Sequence, residues 1–175
     1  MSRFRPLDPA ALDAEQKQVY DQIAAGPRKL VPAPFHILLR SPGLAAPAQA
    51  LGAFARYRTV LPPRLSEFVI LIVANHWDSA YERHVHEQEA RKAGVPEATI
   101  TALRQGESPA MDADETLLYP FVRQALEGGR IEDTAFDAVG ARFGDKGRVE
   151  ILGIVGWYQM VALMLNAYRV PVPMA

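Results

Sequence analysis

The chain has 175 residues, of which 49% are hydrophobic and 22% charged, with a formal net charge of −1. This length and composition fit one globular domain with a sizeable core, so we expect a single domain over 1–175. A net charge this close to zero does not indicate the basic surface that binds nucleic acid or an anionic membrane. The absence of cysteine excludes disulfides, thiolate metal sites and thiol redox chemistry carried by this chain alone. Residues 1–6 have no apolar run behind them, so we expect no signal peptide and a cytoplasmic location.

Helix boundary signals recur along the chain, and the spacing of apolar residues between them predicts helices throughout. A cap followed by proline begins helices after Asp8 and at Ser41, and Gly26-Pro27 ends the first of them. Pro62-Pro63 separates the second long helix from the third. The predicted helices span about 10–25, 35–39, 42–61, 64–76, 79–94, 96–105, 113–128, 132–142 and 147–168, followed by a proline-rich tail.

Three segments allow a second interpretation. The β-branched run 68–74 also fits a buried strand, but no alternating segment lies nearby to pair with it, so a helix is favoured. Pro120 is expected to kink its helix or to delay its start. The nearly uncharged stretch 151–168 falls short of the roughly 20 residues that cross a bilayer and contains Gln159 and Asn166. It is therefore interpreted as a core helix or an oligomer contact.

A cluster of histidines gives the first candidate for chemistry, since His76, His84 and His86 lie within eleven residues. Glu82 and His86 are spaced i, i+4, which places both side chains on one helix face within hydrogen-bond reach. A carboxylate beside an imidazole orients the ring for acid–base work near neutral pH. Ser79 and Glu82 also match a capping box, so a purely structural role for Glu82 stays open.

Glu67 is a second candidate, because this carboxylate lies on an otherwise apolar helix face. A buried glutamate needs a partner, whereas a solvated one would only interact with the helix start. If the chain reverses at 76–78, Glu67 and His86 each lie nine or ten residues from the turn, roughly 14 Å along two facing helices. Glu67, Glu82 and His86 are therefore predicted to converge if the facing sides of the two helices match, and this set is the candidate for catalysis.

Other polar side chains surround this set. Arg83 is the nearest cation for a substrate carboxylate, and it is expected to point outward. A metal site is disfavoured because His84 and His86 do not share a helix face, so no metal and no other cofactor is expected. His36 and His76 receive no role. The side chains assigned to substrate contacts are Tyr81, His84 and Trp77.

Several short motifs follow one another in the middle of the chain. They are Pro62-Pro63-Arg64-Leu65-Ser66-Glu67, Ala74-Asn75-His76-Trp77, Tyr81-Glu82-x-x-x-His86 and Ala90-Arg91-Lys92-Ala93-Gly94-Val95, with echoes at Ser41-Pro42, Glu150 and Gly156-Trp157-Tyr158. In this combination the chain resembles the carboxymuconolactone decarboxylase / alkyl hydroperoxidase D family. The resemblance implies an all-α, alkyl hydroperoxidase D-like helical bundle that assembles as a homotrimer or homohexamer, with sites near subunit contacts.

The same resemblance separates two kinds of chemistry. Peroxidase members of the family have a Glu, then Cys-x-x-Cys, then a His four residues on. Aligned in this way, Glu67 and His86 match the family's Glu and His, while the cysteine positions fall on Ser79 and Glu82. A thiol peroxidase is therefore disfavoured, because no thiolate is present. Decarboxylase members resemble this chain in having Glu-x-x-x-His at that place.

The resemblance thus favours a cofactor-independent decarboxylase acting on a small lactone or enol carboxylic acid. In this hypothesis His86 is the acid–base group, Glu82 orients it, and Glu67 supplies or relays a proton. The alternative is a non-catalytic oligomer in which the same three residues form a structural network. The expected partner is a small-molecule carboxylic acid, and neither nucleic acid nor a membrane is expected.

Overall fold

The computed structural model describes residues 1–173, and every α-helix or 3-10 helix within that range belongs to one helical bundle without strands. A 3-10 turn at Pro9–Ala11 precedes eight α-helices. These are α1 (Ala14–Ala25), α2 (Ala33–Leu38), α3 (Pro42–Tyr57), α4 (Pro63–His76), α5 (Ala80–Ala93), α6 (Glu97–Gln105), α7 (Ala113–Glu127) and α8 (Asp133–Tyr168).

Helix α4 is the centre of the bundle. Every residue of 65–74 is buried, and α4 packs against α5, α6, α7 and α8. A helix surrounded on all sides must be apolar all round, which explains why the run 68–74 lacks a polar face. The strand interpretation of this run is wrong, and the helix prediction is confirmed. At its start, Arg64 pairs with Asp112 and Glu115 at the beginning of α7, so the two helices are tied together.

The turn between α4 and α5 fixes the relation of the two helices. Asp78 adopts a left-handed conformation with φ of 47°, so the chain reverses over three residues between His76 and Ala80. Helix α5 then ends at Gly94, whose φ of 90° favours glycine. The predicted reversal at 76–78 is therefore confirmed.

Two predictions about helix starts differ from the structure, and a predicted break between two helices is confirmed. Helix α1 begins at Ala14 and not after Asp8, because Asp13 and Gln16 form a capping box that satisfies two backbone N–H groups. The predicted break at 143–146 is confirmed, because Gly144 has a non-helical φ of 73° and divides α8 into two helical parts at a kink. Helix α7 begins at Ala113 and contains Pro120, so the delayed start considered for this proline does not occur.

Helix α8 is long and apolar enough to cross a bilayer by length and composition, with a mean hydropathy of 1.4 over 18 residues, half of which are buried here. Its buried face packs against α3, α4 and α7. The contact with α3 is close, since a Cβ on Gly52 would lie 2.3 Å from the Trp157 ring. The position of Trp157, which borders the site described next, thus depends on a glycine in α3.

Candidate functional site

Glu67 and His86 form a buried pair between α4 and α5. Oε2 of Glu67 lies 2.7 Å from Nδ1 of His86, and the two residues are 7% and 4% exposed. The carboxylate accepts a hydrogen bond from Nδ1–H, which leaves Nε2 as the ring nitrogen that can exchange a proton with another group. The predicted approach of the two side chains across the helix turn is confirmed.

Glu82 is buried beside this pair without taking part in it. It is 2% exposed, and neither of its carboxyl oxygens has a hydrogen-bond partner of good geometry. Burial raises the pKa of this carboxyl well above its ordinary value of 4.5, and the nearby Ser79 hydroxyl opposes this shift only in part. The cause is desolvation, which disfavours the charged form. Glu82 is therefore a neutral carboxylic acid over a wider pH range than a solvated glutamate.

The contact with the imidazole that the sequence assigned to Glu82 is made by Glu67. Nδ1 of His86 bonds to Glu67 on α4 and not to Glu82 one turn away on α5, so Glu67 is the residue that orients the ring. The capping-box interpretation of Glu82 is also wrong, since Ser79 makes no side-chain cap and its hydroxyl is itself buried without a partner. Glu82 thus holds neither the helix start nor the imidazole.

A cavity of about 450 Å³ opens next to these groups. Glu82 and His86 line it, whereas Glu67 lies behind His86 and outside the lining. One wall is aromatic, with the Phe35 and Trp157 rings stacked at 6.2 Å between centroids. Lining by aromatic and aliphatic side chains with a few converging polar groups is typical of a small-molecule site. Its other lining residues include Tyr57, Tyr81, Val85, Tyr158, Val161 and Leu165.

Tyr158 packs against the imidazole. Its ring meets that of His86 edge to face, at 4.9 Å and 88°, and this contact limits rotation of the histidine side chain. Tyr158 is 4% exposed, and burial raises the pKa of its hydroxyl well above the usual range. The hydroxyl therefore stays protonated wherever the protein is folded under ordinary conditions.

Two arginines line the cavity, and neither was predicted. Arg56 from α3 lies 3.3 Å from the Glu89 carboxylate of α5. Arg28, from the loop after α1, places its guanidinium 4.7 Å from the centroid of the Phe35 ring. Arg83, the cation that the sequence offered, pairs with Asp78 and does not border the cavity.

Of the three residues predicted to contact a substrate, one lines the cavity and two lie outside it. Tyr81 lines the cavity. His84 lies outside the cavity, and its ring bonds to Gln88 on another face of α5. Trp77 is also outside the cavity, since it lies in the turn before α5 and its carbonyl accepts a hydrogen bond from Asn166. Helical spacing explains the difference, because Tyr81 is adjacent to the Glu82 face whereas His84 is two residues from His86.

The missed residues left only a weak signal in the sequence. Arg56 continues the small-residue face of α3, four residues after Gly52 and eight after Ala48, both of which are buried. A cation on an otherwise buried helix face indicates a partner or a cavity. Arg28 follows Gly26-Pro27 in a loop and shows no such pattern.

No protein-family model matches the chain, and no curated protein matches it. Two solved proteins share its fold. One is ATU0492 from Agrobacterium tumefaciens, a protein of unknown function provisionally assigned to AhpD antioxidant defence, with 22% identity and a TM-score of 0.64 over 78% of this chain and 94% of that one. The other is the debrominase Bmp8, with 14% identity and a TM-score of 0.75 over 96% of this chain and 90% of that one.

Bmp8 has also been solved as a cysteine-to-alanine variant with 2,3,4-tribromopyrrole, and this structure matches with 15% identity and a TM-score of 0.74. At these identities the likeness concerns the fold. The predicted all-α, alkyl hydroperoxidase D-like bundle is therefore confirmed, and the resemblance noted in the sequence extends to the three-dimensional architecture.

Proposed function

We propose that the protein is a cofactor-independent acid–base enzyme that removes carbon dioxide from a small lactone or enol carboxylic acid. The observation that carries the proposal is the state of Glu82, which is buried and unpartnered at the wall of the cavity. A purely structural network would pair these oxygens, because an unmet buried polar group destabilises a fold. A neutral carboxylic acid that faces a cavity is instead available to a ligand.

The proposed reaction needs no group beyond this chain. The bond between the substrate carbon and its carboxylate breaks, carbon dioxide leaves, and the electron pair spreads into the carbonyl conjugated with that carbon to give an enolate. Glu82 donates a hydrogen bond to the enolate oxygen, as neutral carboxylic acids do in other enzymes. Protonated His86 then transfers its Nε2 proton to the carbon next to that carbonyl, and solvent returns a proton to the ring. Glu67 acts as a positioning residue that fixes the imidazole through Nδ1.

The shape of the cavity supports a ring-shaped substrate. Phe35 and Trp157, whose rings stack on each other, give the cavity an apolar aromatic lining that suits a lactone or aromatic ring. A protein of the same fold, Bmp8, binds a five-membered aromatic ring, tribromopyrrole, as a cysteine-to-alanine variant. Because this chain has no cysteine, the proposal gives it proton transfer and not thiol chemistry.

The test is carbon dioxide release from 4-carboxymuconolactone and related lactone acids, with His86→Ala compared to the parent protein. Loss of a well-placed proton transfer should lower kcat by about 10²–10⁴-fold. His84→Ala is the matched control, because it removes an imidazole from the same helix outside the cavity. In D₂O the product of 4-carboxymuconolactone should carry deuterium at the ring carbon next to the lactone carbonyl, where the dienolate is protonated. Undiminished turnover by His86→Ala, or no turnover of any of these acids, would contradict the proposal.

A further inference from the structure

Arg28 is the one cavity-lining cation with no anionic partner in the described range 1–173. Its guanidinium lies over two aromatic rings, 4.7 Å from the centroid of Phe35 and 5.9 Å from that of Tyr57. The charged or ionisable neighbours that act on it are Tyr57, Tyr158 and Arg56, and no carboxylate is among them. The side chain is half-buried, and burial lowers the pKa of its guanidinium. A desolvated cation without a counter-ion attracts an anion into the cavity.

The second cation of the cavity differs in this respect. Arg56 has the Glu89 carboxylate at 3.3 Å, and the charge of Glu67 acts on it as well. Its charge is therefore already compensated by the protein. Glu82 adds no opposing charge while it is protonated. The uncompensated positive charge of the cavity thus lies at Arg28.

We infer that Arg28 is the specificity-determining residue for a second anionic group, which the substrate carries in addition to the group that reacts at His86. The inference rests on the proposed function, since it deepens the description of the same site. Arg28 comes from the loop after α1 and His86 from α5, so two separate parts of the chain bring the two residues to the lining of one cavity. The fitting ligand is a small flat ring acid with a carboxylate at one position and the reacting carboxylate at another.

The chemistry of the guanidinium narrows this class further. Its planar fork binds a carboxylate through two parallel hydrogen bonds, which a lysine ammonium does not reproduce. The contact of the Arg28 guanidinium with the face of the Phe35 ring restricts the side chain before a ligand arrives, so less side-chain freedom is lost on binding. Arg28 should therefore select for a dianionic ring acid over its monoanionic counterpart by binding affinity.

Binding to the full chain tests this by calorimetry, with three benzene dicarboxylates as probes and the monoamide of each as its isosteric partner. We expect at least one dicarboxylate to bind about tenfold more tightly than its monoamide. Arg28→Gln should abolish this ratio, and Arg28→Lys should restore part of it. Arg58→Gln is the control, because it removes the same charge from an arginine that does not line the cavity.

Three results would overturn the role of Arg28. They are a preference for the dicarboxylate that persists in Arg28→Gln, a preference that falls equally in Arg58→Gln, and a failure of all the probes to bind. A merely structural Arg28 would lower the thermal midpoint on substitution while leaving the binding ratio intact. Because calorimetry measures binding, the result does not depend on turnover. If the lactone acids release no carbon dioxide, the proposed function is refuted. The calorimetric test of Arg28 can still be interpreted, because it measures binding alone.

Discussion

The isolation of Glu82 has a consequence for stability that can be worked out from the structure. The carboxyl is 2% exposed, has no hydrogen-bond partner, and has a pKa well above its ordinary 4.5. Between the ordinary pKa and the raised one, the unfolded chain has released the proton while the folded chain still holds it. Folding then requires proton uptake, so the contribution of Glu82 to stability falls as the pH rises through this window.

The magnitude follows from linkage. When the folded state binds one more proton than the unfolded state, the free energy of unfolding changes by about 1.4 kcal/mol per pH unit. Glu82→Gln removes the titration and leaves every other group in place. The free energy of unfolding of Glu82→Gln minus that of the parent should therefore increase by about 1.4 kcal/mol per pH unit above pH 4.5. The increase ends where the folded carboxyl ionises.

The assay is urea unfolding of both proteins between pH 4.5 and about 8.5 at constant ionic strength, analysed as a difference so that shared titrations cancel. Glu89→Gln is the matched control on the same helix, because the pKa of Glu89 is lowered, mainly by Lys92. A carboxyl with a lowered pKa stabilises the folded state, and this stabilisation is lost only when the pH falls below the pKa of the unfolded chain. The difference in free energy of unfolding between Glu89→Gln and the parent should therefore stay nearly constant over this range. If the free energy of unfolding of Glu82→Gln minus that of the parent also stays constant, or decreases with pH, then Glu82 is not a desolvated carboxyl without a partner.

Two further predictions concern packing and assembly. Gly52→Ala places a Cβ 2.3 Å from the Trp157 ring and should lower the free energy of unfolding by about 1–3 kcal/mol. Gly43→Ala is the control in the same helix, because nothing lies within 4 Å of its Cβ and alanine is favoured over glycine in a helix. Thermal unfolding of both variants checks this, and equal effects would contradict it. We also propose that the chain forms a homotrimer or homohexamer through the outer face of α8, where Leu163 and Val149 are 54% and 70% exposed. Leu163→Glu should then shift the mass measured by light scattering towards the monomer, and a monomeric parent protein, or an unchanged oligomer in the variant, would refute this surface.

Much of the fold could be predicted because its signals are local. Proline at the start of α3 and α4, and glycine at the end of α5, mark boundaries that the structure reproduces. The pairing of Glu67 with His86 is not local. It could still be predicted, because two residues that are equally far along the chain from a tight turn lie opposite one another on the two facing helices. Counting residues from the turn does not tell which rotamer a side chain adopts. For this reason the hydrogen bond to the His86 ring is predicted for Glu82, whereas Glu67 makes it.

The cavity itself could not be predicted, because its walls come from separate parts of the chain. Arg28 belongs to a loop, Arg56 to α3 and Trp157 to α8. No spacing rule relates a loop residue to a helix residue more than a hundred positions away. The start of α1 was misplaced for a different reason. Two aspartates, Asp8 and Asp13, both offer caps, and only the second has the glutamine that completes a capping box.

The positions that carry cysteines in thiol members of the resembling family connect the fold to the proposed chemistry. Here they hold Ser79 and Glu82, both buried and without hydrogen-bond partners. A serine hydroxyl in such a place has no redox chemistry, but a carboxyl gains a property from the same surroundings, because loss of solvent keeps it protonated. The apolar surroundings of Glu82 therefore extend to higher pH the range over which its carboxyl can donate a hydrogen bond. In the proposed reaction, a helix position that holds a thiol in peroxidase members of the resembling family thus holds a proton-bearing carboxyl.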